Sequence, residues 1–336
     1  MADDRRHIHR GTSRKGVVTV PKGGDDSLRI VTVNGPIHPE ALGVTLSHDH
    51  ILVDAWGMTR GFEDYGTILD NEELAIAELQ RYRRAGGSAV CDPTNIGIGR
   101  NPEALRRISK AAGVHIVMGC GWYRERVYPS YVFEEHPNRL ADRLVQELTE
   151  GVDGSGVRPG FIGEIGTERF HITPAQERVF RAAARAQRRT GCTIMTHTTH
   201  WGELALEQLD LLAEEGVPAN RVIVSHLGDR PGVHWLLPIA KRGAWIDIDN
   251  LAFSDYAPLE VRVENVVALW SAGFGSQIML SNDICKINQL SFYGGCGYDN
   301  IITNFYPLLR ARGLTEDHIR TMTVANPSRA FAYEAV

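Results

Sequence analysis

VTLSHDHILVD (44–54) reads as a β-strand whose downstream end changes from apolar packing to metal-binding chemistry. Side chains on a strand alternate between its two faces, so Val44, Leu46, His48 and His50 share one face and both imidazoles enter the same space. A lone histidine is more often a satisfied core residue. His-x-His closing an apolar strand points instead to metal ligation, since imidazole is the commonest protein metal ligand. Asp49 faces the other way and reads as a supporting or structural residue.

Downstream of this stretch a repeat sets in. EELAIAELQRYRRA (72–85) has helical apolar spacing and Gly86-Gly87 to end it. SAVCDPT (88–94) is a strand stopped by Pro93, NPEALRRISKAAG (101–113) a helix with Asn and Pro at its start, and VHIVMGCGW (114–122) a further strand. Residues 138–150 are helical, GFIGEIGT (160–167) is a strand, and TPAQERVFRAAARAQRRTG (173–191) is an amphipathic helix capped by Thr173. The rhythm continues with strands CTIMTH, RVIVSH, GAWIDID and SQIMLSND, separated by helices at 202–215, 232–242 and 258–272. Helices at 300–313 and 315–332 close the chain. Eight strand–helix units predict a parallel sheet with helical crossovers, and at this length a single-domain (β/α)8 TIM barrel. An open doubly wound sheet is disfavoured because no GxGxxG follows the first strand.

Upstream, RIVTVNG and PIHPEALG read as a short strand and turn at the start of a barrel domain spanning 29–336. Residues 1–28 are expected to be a flexible leader, with VVTV pairing at an edge; they lack the apolar run of a secretory signal. The chain has 336 residues, 43% of them hydrophobic, and a formal charge of −5, which leaves no basic footprint for nucleic acid. No stretch approaches the roughly 20 apolar residues that span a bilayer. Five cysteines without CxxC spacing suit a reduced, cytoplasmic protein.

Active sites of such barrels lie at the C-terminal strand ends. His48 and His50 end strand one, Glu164 strand four, His197 strand five, His226 strand six and Asp283 strand eight. Any one of them could be an ordinary polar residue at a loop boundary. Together they would crowd imidazoles and carboxylates into one mouth, which a cation would relieve.

These motifs, GPIHPEALGVTLSHDHILVD, GFIGEIGT followed by TPAQE, TH at 196–197, SH at 225–226 and SNDIC at 281–285, resemble the phosphotriesterase family of the amidohydrolase superfamily, in order and over nearly the whole chain from about residue 30. The resemblance implies two divalent metal ions, zinc first, with manganese, iron and cobalt as alternatives. It implies that His48, His50 and Asp283 hold the more buried ion, that His197 and His226 hold the more exposed one, and that strand four bridges them. Many members bridge with a carboxylated lysine. Here the position is Glu164, and no lysine occurs between Lys110 and Lys241, which resembles the branch of phosphotriesterase homology proteins. A proton relay from the metal-binding aspartate in some phosphotriesterases would end at Asp229, but Asn250 stands at its histidine position and does not titrate.

The expected chemistry is hydrolysis of a small-molecule lactone, carboxylic ester or amide by water activated between the two ions, with Asp283 carrying the proton and Glu164 as the bridge. Organophosphate triester hydrolysis is the first alternative, deamination at a mononuclear centre the second, and a barrel that only binds a ligand the third. Tyr123 and Arg230 are expected to touch substrate, with Trp122, His200, Trp201 and Lys286 as further pocket walls. Loop eight, ICKINQLSFYGGCGYD, is expected to act as a wall or lid, and Cys285 as a small buried residue rather than a nucleophile. A homodimer with no membrane partner is the expected assembly.

Overall fold

The computed structural model describes residues 27–59, 64–199 and 202–335. Parallel strands β1 (Thr45–Leu46), β2 (Ala89–Asp92), β3 (His115–Cys120), β4 (Phe161–Gly166), β5 (Thr193–His197), β6 (Val222–Val224), β7 (Trp245–Ile248) and β8 (Ile278–Leu280) pair in chain order. The circle closes by hydrogen bonds just past the strand ends. His50 N–H donates to Ile284 O at 3.0 Å and Asp283 N–H to His48 O at 3.1 Å. Between the strands run α1 (Glu72–Arg84), α2 (Pro102–Ala112), α3 (Pro137–Glu150), α4 (Pro174–Thr190), α5 (Ala205–Glu214), α6 (Leu236–Lys241) and α7 (Leu259–Ser271), and α8 (Tyr306–Ala311) follows β8. This is the (β/α)8 barrel that the strand count predicts.

Local chemistry sets the boundaries. Asn101 and Thr173 cap α2 and α4, their side-chain oxygens accepting from Ala104 N–H and Gln176 N–H at 3.1 and 3.2 Å. Strand alternation then divides the core. Cys91, Val117, Phe161, Met195, Ile223, Trp245 and Met279 fill the barrel's interior, while Val90, Ile116, Ile162, Ile194, Val224, Ile246 and Leu280 pack on the helices.

The structure departs from the sequence expectations in three places. The strand read over 44–54 is interrupted: β1 stops at Leu46, and Val53–Asp54 pairs antiparallel with Ile68–Leu69. The helices read over 300–313 and 315–332 each contain a wide π turn, Ile301–Phe305 and Thr321–Ala325, just before Pro307 and Pro327. A proline lacks the N–H that continues the α-helical ladder, and a widened turn accommodates it. Leu28, placed in the leader, instead opens a strand Leu28–Thr32 that pairs with Gly35–Ile37 and with Tyr333–Glu334. Residues 1–26, including VVTV, lie outside the described residues.

That three-stranded patch covers the N-terminal end of the barrel. Ile30, Leu42 and Phe331 join the interior cluster there, and Thr193 Oγ1 donates to Ala330 O. The opposite end is left to the site.

Candidate metal centre and active site

Glu164 is placed by the glycine before it. Gly163 has φ +139°, a conformation closed to other residues, and a Cβ there would lie 2.4 Å from Met195 O. The β4–β5 register shifts between Ile162 and Ile165, and this bulge directs the Glu164 side chain into the mouth. Asn95 Nδ2 fixes the local backbone by donating to Glu164 O at 2.6 Å.

Around that carboxylate the structure gathers all six residues read from the strand ends. His50 Nε2 faces Glu164 Oε1 at 3.4 Å, and His48 Nε2 and His226 Nε2 face Oε2 at 3.5 and 3.4 Å. His197 Nδ1 approaches Oε2 at 2.9 Å and His226 Nε2 at 2.8 Å. Asp283 Oδ1 stands 3.6 Å from both His48 Nε2 and His50 Nε2. Most of these spacings are too long for good hydrogen bonds. Two ligands on a tetrahedral ion, each about 2.0–2.1 Å from it, stand roughly 3.4 Å apart. His48 Nε2 is buried and has no hydrogen-bond partner. The residues therefore fit divalent cations, with His48, His50 and Glu164 forming one ligand group and Glu164, His197 and His226 another.

The outer nitrogens are held in turn, which fixes the rings so that Nε2 of His48, His50 and His226 faces the centre. His50 Nδ1 pairs with Thr94 Oγ1 at 2.8 Å and His48 Nδ1 with Ser225 Oγ at 3.1 Å. Asp249 is the residue that sequence reasoning missed. It accepts from His226 N–H and pairs with His226 Nδ1 at 3.0 Å, and its other oxygen lies 3.4 Å from His48 Nδ1. Its signal was two aspartates, Asp247 and Asp249, alternating within an otherwise apolar strand run. Asp49 points away from the cluster and braces Asp283's loop, accepting from Ser281 Oγ at 2.5 Å and from Ile284 N–H at 2.8 Å.

Backbone and electrostatics are both strained here. His226 and Asp283 adopt φ of 64° and 56°, a left-handed conformation that costs non-glycine residues of order 1–3 kcal/mol. Burial works against charge on His48, yet the Glu164 carboxylate overrides it and lifts His48 to about 10. Burial and the neighbouring His226 push His197 down to about 3, so it is the neutral ring of the set. Burial lifts Asp283 to about 6 against the pull of His226 and His48. Burial would raise Glu164 too, but the charge of His48 and the hydrogen bond from His197 hold it well below the usual carboxylate range.

His50, Glu164, His197, His226 and Asp283 line a cavity of about 190 Å³ whose walls include Val53, Ile98, Tyr123, Phe253, Tyr256 and Lys286. Tyr123 Oη lies 3.4 Å from His197 Nδ1. Lys286 and Cys285 line the cavity as loop eight leads into it. Burial raises the Cys285 thiol well above its ordinary value, which suits a packed residue and not a nucleophile. Two expectations need correction. Arg230 does not line this cavity but a separate depression with Glu203, Pro231 and His234, its guanidinium 5.7 Å from the Trp235 ring. Trp122 is buried and donates to Tyr131 Oη at 3.0 Å, because its indole points into the helix layer. His200 and Trp201 lie outside the described residues. All five cysteines are free, and no helix among the described residues is long and apolar enough to cross a membrane.

The proton-relay positions are occupied differently from the family pattern. Asp229 Oδ2 accepts from Asn250 Nδ2 at 2.7 Å, and Oδ1 accepts from Arg262 Nη2 at 2.6 Å and Nε at 2.9 Å. Both oxygens of Asp229 are taken.

Comparison with known proteins agrees with this architecture. The phosphotriesterase family model matches residues 28–331. The phosphotriesterase homology protein of Escherichia coli is 34% identical, covering 86% of this chain and 98% of its own. The N-acetyltaurine hydrolase of Danio rerio is 29% identical over 91% of this chain and 98% of its own. The crystal structure of a lactonase from Listeria monocytogenes superposes with a TM-score of 0.85 at 29% identity, covering 90% of this chain and 98% of that one. With a match across the barrel and all six mouth residues drawn together, this chain belongs to the phosphotriesterase family.

Proposed function

We propose that the chain is a hydrolase dependent on two divalent metal ions and acting on a small lactone, carboxylic ester or amide. The observation that carries this is Glu164, a buried carboxylate turning one oxygen to His50 and the other to His197 and His226. Family membership in a group of metal-dependent enzymes supports it, as do relatives named as an N-acetyltaurine hydrolase and a lactonase.

Glu164 would bridge the ions, with His48, His50 and Asp283 completing one side and His197 and His226 the other. Bound there, divalent cations supply Lewis-acid polarisation and lower the pKa of water. The chain's own residues do the rest. Asp283, whose carboxylate stands 3.6 Å from both His48 Nε2 and His50 Nε2, takes the proton from attacking water and returns it to the leaving oxygen or nitrogen. Tyr123 Oη offers a donor beside His197 for that leaving group. Thr94, Ser225 and Asp249 keep the imidazoles in register, and Val53, Ile98 and Phe253 keep bulk water from the acyl group.

Phosphotriester hydrolysis is the weaker reading, because Asp229 is tied to Arg262 and Asn250 and has no histidine through which to carry a proton. Elemental analysis of the purified protein, combined with turnover assays on lactones, acetate esters, N-acetyl amides and an aryl dialkyl phosphate, tests the proposal. Two ions per chain and acyl turnover are expected. One ion per chain, or turnover of the phosphate alone, would overturn it.

A further inference from the structure

Away from the metal ligands, the cavity walls carry a lopsided charge. Among the described residues no carboxylate besides Glu164 and Asp283 lines the cavity, whereas Arg124 and Lys286 both do. Arg124 is already answered by Glu168, with Nη2 and Oε2 2.5 Å apart. Lys286 has no ion-pair partner among the described residues; its ammonium lies 5.5 Å from the centre of the Phe253 ring, which stacks on Tyr256 at 4.5 Å.

The strap beneath Lys286 is fixed on both sides. Gln289 Oε1 accepts from the N–H groups of Cys285 and Lys286 at 2.9 and 2.8 Å. Glu78, buried on α1, accepts from Ser291 Oγ at 2.7 Å and Phe292 N–H at 2.9 Å. The flexible four-carbon stem of the lysine is thus mounted on backbone that does not have to be ordered again when a ligand arrives. The cavity lining also carries aliphatic side chains, Val53, Ala55 and Ile98. The volume of about 190 Å³ is small beside the roughly 300–1,000 Å³ of sites for drug-sized ligands.

We infer that the substrates are small acyl compounds carrying a fixed anion, a carboxylate or sulfonate, a few bonds from the scissile carbonyl, and that the Lys286 ammonium anchors that anion. This rests on the metal-dependent hydrolase reading. Two divalent cations held by two carboxylates leave the floor positive, so floor and anchor attract the same sign of charge. The aliphatic wall covers the spacer, and the anchor fixes the distance from anion to carbonyl. Lys286 is a specificity-determining residue here.

The test uses matched pairs on the metal-loaded full chain: 4-acetoxybutyrate against butyl acetate, and N-acetyl-β-alanine against N-propylacetamide. In the wild type kcat/KM favours the anionic member of each pair by about tenfold, the size of one charge-assisted contact. Lys286→Met brings that ratio close to one by raising KM for the anionic member, Lys286→Arg restores it, and Lys286→Glu inverts it. Higher salt shrinks the wild-type preference. A ratio unmoved by Lys286→Met, or one that moves through kcat alone, overturns the anchor. Calorimetry with glutarate against butyrate separates this proposal from the one beneath it. If glutarate's advantage disappears in Lys286→Met while no acyl compound is turned over, the anchor stands and the hydrolase reading falls. Acyl turnover with an equal glutarate advantage in both proteins does the reverse: the hydrolase reading stands and the anchor falls.

Discussion

Asp229 and Glu164 are both buried carboxylates at the mouth of the barrel, and both face cationic or protonatable nitrogen, yet their surroundings are opposite. Asp229 is closed off: Arg262 and Asn250 donate to it at 2.6–2.9 Å, and Arg262 also donates to Ala257 O and Phe253 O at 2.9 and 2.7 Å. Glu164 is held open, with His48, His50 and His226 standing at 3.4–3.5 Å and only His197 at hydrogen-bond range. Burying charge is tolerated when every donor and acceptor is matched. In the first cluster both oxygens of the buried Asp229 carboxylate are matched within the protein. The second has the spacing of ligands around an ion, so the same burial produces a structural clamp in one place and a binding site in the other.

Breaking the open cluster should have the largest effect. Glu164→Ala and Asp283→Asn are each expected to lose most activity, on the order of 10³-fold or more, with metal content falling in Glu164→Ala by elemental analysis. With a glutamate as the proposed bridge, adding zinc to chelated wild-type protein should restore activity without bicarbonate. Breaking the closed cluster should act on stability instead. Arg262→Met leaves Asp229 buried without its counter-charge and is expected to cost about 3–5 kcal/mol in urea unfolding while metal content holds. A loss of metal with stability intact would mean that the two clusters have been assigned the wrong way round.

Subtler changes sharpen the contrast. Asp249→Asn keeps the shape beneath His226 but weakens its support, and should lower metal affinity about 10–100-fold in competition with a chelator. The smallest effect is on pH dependence. His48 is lifted from 6.5 to about 10, so its contribution to chelated protein is full below pH 6.5 and lost as pH rises through 10. Asp283, lifted from 3.8 to about 6, has the same sign, with its share lost as pH rises through 6. The urea midpoint of chelated protein should therefore fall gradually on the alkaline side. Added divalent cation, which takes over the balancing of Glu164, should flatten that slope.

The barrel was legible because strand and helix periods alternate cleanly from Val44 onward, and the six mouth residues were legible because each ends an apolar run. The supports were not. Thr94, Ser225 and Asp249 act by holding a ring nitrogen, a role that depends on which strands lie side by side and leaves no spacing along the chain. The left-handed backbone at His226 and Asp283 carries no glycine to mark it. Arg230 follows the strand-six motif closely, yet the loop turns its side chain onto Trp235, outside the cavity. Proximity in sequence to a ligand says little about which way a loop side chain points.

Leu28 and Glu334 are partners in the strand pair on the far side of the barrel from the cavity. A short linker between them would give a circular permutant whose new ends could open in a helix-to-strand loop on that same far side, leaving every ligand on unbroken chain. The protein could also be tethered there to a surface or to another enzyme with its mouth facing freely outward.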